Sequence, residues 1–378
     1  MAQDKPKVFF PNLDGWRFIA FLSVFLVHCF HVDYEWQKET TAYDIVHSHI
    51  FKNGDLGVYF FFVLSGFLIT YLLLVEQKLN GKIHIGAFYV RRALRIWPLY
   101  FFCVIFGFVL FPMLKKMFGQ VPAETANPWM YVCFLSNFDI LKHGMPDSSV
   151  LSVLWSVAVE EQFYLAWPLI LFIVPPKHYP KVFLLIIGGC LTYRYFNHTY
   201  PDSFINTFCI ISDMAIGGLS AWLVLNSPHF YNRIRNIKRW FLYLLYAGFV
   251  LLFLYRHLWF TTLWMVVLER IIYAIVFALV ILEQNFNEHS FFKMMNWKVA
   301  TRLGKYAYGL YCLHFIALLI QIRIGVMCGF TSQWWILLWG PLLALGIAIG
   351  IALLSYRFYE ERFLKLKDRF AFVVRGGR

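Results

Sequence analysis

This sequence predicts an all-α membrane domain, a polytopic helical bundle of about ten transmembrane helices plus a re-entrant segment. Three observations predict it. Apolar runs of roughly 17–25 residues recur along the whole chain, the length a helix needs to cross hydrocarbon. The composition is 60% hydrophobic and only 15% charged, whereas a soluble domain carries about 25% charged residues. Aromatic residues make up 20% of the chain and crowd the ends of the apolar runs, as interfacial belts do. A transmembrane barrel would need short alternating segments, which are absent. Residues 1–378 read as one membrane domain with no soluble domain appended.

The first apolar run covers roughly 13–32. It follows Lys5 and Lys7 and so resembles a signal peptide at first sight. It lacks a small-x-small cleavage site and carries Arg17 and His28, so it reads as a retained first helix. A charge and a titratable ring inside lipid are costly and mark functional positions. Eleven residues of helix rise roughly 16 Å. Arg17 is therefore expected near one membrane face, with His28 about half a hydrocarbon thickness deeper.

The connection 33–55 is acidic and polar. Its His47 and His49 have a spacing that permits a metal, but two histidines in a loop are more often solvated, and no metal site is predicted. The second run, 55–75, contains the small pair Ser65-Gly66, which would let another helix or an extended ligand approach closely. A basic cluster, Arg91-Arg92-Ala93-Leu94-Arg95, opens the third run, 95–114. Arg92 and Arg95 share a helix face, and guanidinium forks suit phosphate. A plain topological anchor is the competing reading. Residues 128–141 are too short to span and read as re-entrant or interfacial on the outer side.

The fourth run, 150–174, opens with Asp147, Ser148 and Ser149 as candidate caps. It carries Trp155-Ser156-Val157-Ala158-Val159-Glu160-Glu161-Gln162-Phe163-Tyr164. Ser156 and Glu160 lie four apart on one face, placed toward the cavity, and Glu161 turns about 100° away, so Glu160 is expected to matter more. A carboxylate here that met His28 would orient its ring for acid–base work. The alternative is a structural ion pair with Arg17 or Arg95. The remaining runs are 181–196, 205–226, 240–257, 260–282, 304–322 and 333–356. Asp213, in the second of these, reads as lining an acceptor pocket or pairing with Arg194. His314 reads as a satisfied core histidine. The seven cysteines are scattered singly and read as core thiols.

An even number of spans puts both termini on one side. The termini and the connections on that side hold 24 of the 34 Lys and Arg, against 8 in the opposite connections. That side is therefore expected to be cytoplasmic. The same clustering explains the formal net charge of +13 without nucleic acid as a partner.

Together these runs resemble the membrane-bound acyltransferase family 3, the bacterial O-antigen and exopolysaccharide O-acetyltransferases. The likeness rests on Leu13-Asp14-Gly15 with Arg17 and His28, on Phe62-Val63-Leu64-Ser65-Gly66-Phe67-Leu68, and on Arg92-x-x-Arg95. It continues through Trp155-Ser156-x3-Glu160-Glu161-Gln162-Phe163-Tyr164, Leu303-Gly304-Lys305-Tyr306 with His314-Phe315, and Tyr359-Glu360-Glu361-Arg362-Phe363. Trp16 departs from the smaller aliphatic residue common at that place. The lack of a fused esterase-like domain departs from some members, so this chain is expected to complete transfer itself.

The resemblance implies a bacterial inner-membrane enzyme. It would take an acyl group, usually acetyl, from cytoplasmic acyl-coenzyme A (acetyl-CoA) and pass it to a hydroxyl of an envelope glycan. The acyl-CoA is a substrate, and no permanently bound cofactor is expected. Arg92 and Arg95, with Arg91, would hold the coenzyme A phosphates. His28 would be the general base, supported by Arg17, Ser156 and Glu160 or Glu161. Covalent acyl-histidine chemistry is open. The alternative from another class is a transporter or flippase that moves an acyl group or glycan without making bonds.

Overall fold

The computed structural model describes residues 10–30, 46–330 and 332–370. The predicted features at Lys5 and Lys7, the end of the first run and most of the connection 33–55 lie outside them. Among the described residues there are helices and connections and no strands. The long helices are α1 (Pro11–Cys29), α2 (Leu56–Asn80), α3 (Ile85–Ile105), α4 (Leu154–Ile173), α5 (Tyr179–Phe196), α6 (Thr207–Asn226), α7 (Arg239–Leu254), α8 (Leu263–Phe286), α9 (Ala307–Met327) and α10 (Gly340–Ser355). Each falls on one of the ten predicted runs.

Among the described residues, seven helical stretches are long and apolar enough to cross a membrane, or eight if the bent pair Pro228–Arg235 and Arg239–Leu254 counts as one span. The expected ten is therefore met in position but not in that measure. α1 falls short because Asn12, Asp14, Arg17 and His28 dilute its apolar residues. The segment predicted to be re-entrant forms two short helices, Pro128–Val132 and Ser136–His143. They are divided at Phe134, whose φ of 56° is left-handed.

The described chain forms two compact units. The first contains residues up to His84 and Ala166–Lys305, and the second contains Ile85–Leu165 and the chain from Tyr306. In the first unit, α1, α2, α6 and α8 share a core of Leu13, Phe60, Val63, Phe67, Ile216 and Phe277. Helices in lipid gain little from burying apolar surface, so close backbone packing carries their association. Glycines provide it here. A Cβ on Gly66 would stand 2.0 Å from the carbonyl oxygen of Met214, and one on Gly217 would stand 2.0 Å from that of Val63. The small pair Ser65-Gly66 thus admits a helix. A Cβ on Gly304 would reach 1.6 Å from the carbonyl oxygen of Asp14. The first and the late family-like motifs therefore meet backbone to backbone.

In the second unit, Tyr100 donates to the carbonyl of Tyr131 (2.7 Å) and Tyr308 to that of Ile96 (2.8 Å). Gln162 ties α4 to the carbonyl of Phe134 and the side chain of Asn137. The candidate caps of α4 act otherwise. Asp147 pairs with Lys115 (2.7 Å) and accepts from the backbone of Ala123, and Ser148 makes no side-chain cap bond.

Candidate active site

α1 is unbroken from Pro11 to Cys29, so its residues keep helical phase. Eleven residues turn 1,100°, which leaves Arg17 and His28 only about 20° apart around the axis. Between them on that side stand Phe21 and Val24, both buried. Arg17 is fixed at its base, where Nη1 donates to Asp14 Oδ1 at 2.6 Å. Asp14 is buried and lies in the first turn of α1, where a carboxylate is favoured by the helix dipole. The spacing of three between Asp14 and Arg17 was a readable signal for this pair.

The start of α1 is anchored further. Asn12 donates to the carbonyl of Gln284 (2.7 Å) and accepts from the backbone of Met295 (2.9 Å). Trp16 stacks on Tyr246 with an interplanar angle of 10°. The departure at Trp16 is thus an aromatic packing contact. His28 stands half-buried in the last turn of the helix.

The other predicted site residues belong to the second unit. Arg91 Nη1 donates to the carbonyl of Phe370 at 2.8 Å, so one of the three arginines is engaged by the end of the described chain. Arg92 lies between two rings, with its guanidinium 5.6 Å from Phe88 and 5.7 Å from Tyr164. Its Nε is buried without a partner among the described residues. Arg95 follows one turn later and is half-buried.

On α4, Ser156 is within 2.6 Å of the Tyr311 hydroxyl, and both residues are buried. Glu160 is half-buried and accepts from Tyr164 at 3.1 Å. Glu161 is buried, with 3% of its surface exposed. Its Oε2 accepts from Trp97 Nε1 at 2.8 Å, and its Oε1 has no partner among the described residues. Sequence reasoning missed Trp97 and Tyr311, whose roles depend on helices far apart in the chain.

A buried carboxylate oxygen without a donor is costly, by about 1–3 kcal/mol, and such groups concentrate where chemistry occurs. The spacing argument put Glu160 first. Burial and the open oxygen put Glu161 first. Glu161→Gln is therefore expected to lower acyl transfer by about 10²-fold or more, the scale of acid–base contributions, and Glu160→Gln by less. Initial rates of both variants decide the order, and a dead Glu160→Gln beside an active Glu161→Gln would restore the order read from spacing.

Elsewhere in the first unit, Asp213 pairs with Arg270 (2.6 Å). Arg194 instead donates to the carbonyls of Cys209 and Val267 and to Ser212. Of the two readings of Asp213, the pairing with Arg194 is thus replaced by a pairing with Arg270. His314 is buried, with Nδ1 2.6 Å from the carbonyl of Tyr311, as expected of a core histidine. His49 packs edge-on against His257 at 4.7 Å. All seven cysteines are free thiols; four are buried and two, Cys133 and Cys328, are exposed.

A family model described as an acyltransferase domain matches residues 10–357. The chain belongs to that acyltransferase family. The match runs from the anchored start of α1 to the end of α10, so it includes every candidate site residue. Among individual relatives, the chain is similar to the peptidoglycan O-acetyltransferase OatA of Listeria monocytogenes, 34% identical over 193 residues. That stretch is 48% of this chain and 28% of the relative. It is also similar to a putative peptidoglycan O-acetyltransferase, YrhL, of Bacillus subtilis (35% over 171 residues, 43% of this chain and 24% of the relative). The O-acetyltransferase OatA of Staphylococcus aureus is 31% identical over 186 residues, 46% of this chain and 26% of the relative. The matched stretch thus spans about a quarter of the length of these curated relatives. No solved structure matches the chain.

Proposed function

We propose that this protein is an integral membrane O-acetyltransferase that moves acetyl from cytoplasmic acetyl-CoA to a hydroxyl of a cell-envelope glycan. Family membership supports acyl transfer, and relatives named as O-acetyltransferases support the acetyl group. Two of those names specify peptidoglycan, which favours a cell-wall glycan as acceptor. The observation that carries the reading is the face of α1, where an Asp14-bound Arg17 and a half-buried His28 stand three turns apart. His28 acts as general base on the acceptor hydroxyl. Its ring nitrogen takes the hydroxyl proton as the oxygen attacks the thioester carbonyl, and coenzyme A leaves as the thiolate.

The arginines of α3 supply the donor end. Coenzyme A is a polyanion, and Arg92 and Arg95 share one helix face with donors suited to phosphate. By the positive-inside tally this end of α3 faces the cytoplasm, where acetyl-CoA resides. Both termini are then cytoplasmic.

Arg92→Ala and Arg95→Ala are expected to weaken acetyl-CoA binding by roughly 1.5–3 kcal/mol each, the worth of a hydrogen bond to a charged group. Arg91→Ala should do less, because Arg91 is bound to Phe370. Titrating each variant with coenzyme A and with its 3′-dephosphorylated form checks this. If Arg92 and Arg95 serve the 3′-phosphate, their loss costs less with the dephosphorylated ligand. Unchanged affinity in both variants removes the arginines from the donor site.

A further inference from the structure

The first unit contains a cavity of about 320 Å³ that the proposed chemistry does not use. Its walls come from one end of the unit: the approach to α2, the end of α5, the segment before α6 and the start of α8. By the charge tally this is the external end. The volume is at the lower end of small-ligand sites, roughly 300–1,000 Å³, and suits one sugar ring rather than a chain of them.

The wall is unusually charged for a membrane domain. Arg256 is bracketed by Asp55 and Glu269. Every guanidinium nitrogen of Arg194 donates, to the carbonyls of Cys209 and Val267 and to Ser212. Arg270 differs. Its side chain is 3% exposed and its Nη2 is bound to Asp213, yet Nε and Nη1 are buried without a partner among the described residues. Tyr59 covers its guanidinium at 3.7 Å.

The cavity's cations are Arg194, Arg256, Arg270 and the exposed Lys52. Its carboxylates are Asp55 and Glu269, with Asp213 directly behind. Four positive charges thus face three negative ones, and one monoanion makes the site neutral. Buried donors left unpaired are stabilised only by an acceptor. Tyr200 and Phe204, with ring centroids 6.3 Å apart, add flat apolar surface at the same cavity.

We propose that this cavity binds a sugar ring bearing one carboxylate, as a subsite for the acceptor glycan. The carboxylate meets Arg270 and Lys52, and the ring lies against Tyr200 and Phe204. The role as acceptor subsite rests on the transferase reading above, whereas the binding itself does not.

The test uses the purified full chain in nanodiscs, titrated by calorimetry with glucuronate, glucose, acetate and inorganic phosphate. Glucuronate is expected to bind at least tenfold more tightly than the other three. Arg270→Lys keeps the charge beside Asp213 but removes the two unpartnered donors, and should weaken glucuronate at least tenfold. Lys52→Ala and Tyr200→Ala lie at the mouth, should leave folding unaffected and should each weaken it several-fold. His28→Ala should leave this binding unchanged, so failure of the subsite and failure of the transferase are separable. Equal binding of glucose and glucuronate overturns the proposal, as does acetate or phosphate matching glucuronate. Full affinity in Lys52→Ala and Tyr200→Ala overturns it even where Arg270→Lys fails to fold.

Discussion

His28→Ala is expected to abolish the proposed acetyl transfer while the protein still inserts and folds. The side chain stands half-buried in the last turn of α1, away from the anchored start of that helix. Removing it deletes the proposed base without touching the contacts of Asn12, Asp14 or Trp16. A general base contributes about 10²–10⁴-fold, so the residual rate is expected near the background of an assay. Membrane yield and thermal midpoint should match the wild type. His28→Gln keeps hydrogen bonding but not proton transfer and should be equally inactive. A transfer rate within a few-fold of wild type in either variant would remove His28 from the chemistry.

Gly304→Ala should produce the largest loss of folded protein. The added methyl carbon would stand 1.6 Å from the carbonyl oxygen of Asp14, and that atom is backbone, not a side chain that can swing aside. Overpacking typically costs 1–3 kcal/mol; a clash with backbone belongs at about 3 kcal/mol or above. The same shift would disturb the Asp14–Arg17 pair. Gly248→Ala is the control. Beyond its own helix backbone, no described atom lies within 4 Å of its added carbon, and alanine is favoured over glycine in a helix by about 1 kcal/mol. Thermal unfolding in detergent should show Gly304→Ala far below wild type and Gly248→Ala at or above it. Equal midpoints for the two variants would refute the packing account.

The helices were legible because apolar run length in a membrane chain is a strong signal, and all ten predicted runs carry helices. Their status as spans was less legible, since α1 trades apolar residues for the polar groups that make it of interest. Arg17 and His28 were singled out through the cost of charge in lipid. The pairing of Asp213 was misjudged because Arg194 is also near and basic, and only the packing of α6 against α8 brings Arg270 to 2.6 Å. Spacing placed Glu160 and Glu161 on different faces and put Glu160 first, on the face of Ser156. Their rank depends on Trp97 and on burial, which the helical period of α4 does not carry. Ser65-Gly66 was ambiguous between a helix and a ligand until Met214 was seen against it.

The central claim is that this chain makes a bond rather than carrying a molecule across the membrane. The most direct test gives purified wild-type protein acetyl-CoA labelled in the acetyl group, together with a cell-wall glycan acceptor. The account predicts label on the glycan as an alkali-labile ester, one free coenzyme A thiol released per ester formed, and neither product with His28→Ala. Contradiction would be label that remains on coenzyme A, or that crosses a vesicle membrane unchanged, while the wild-type protein is folded and binds its donor.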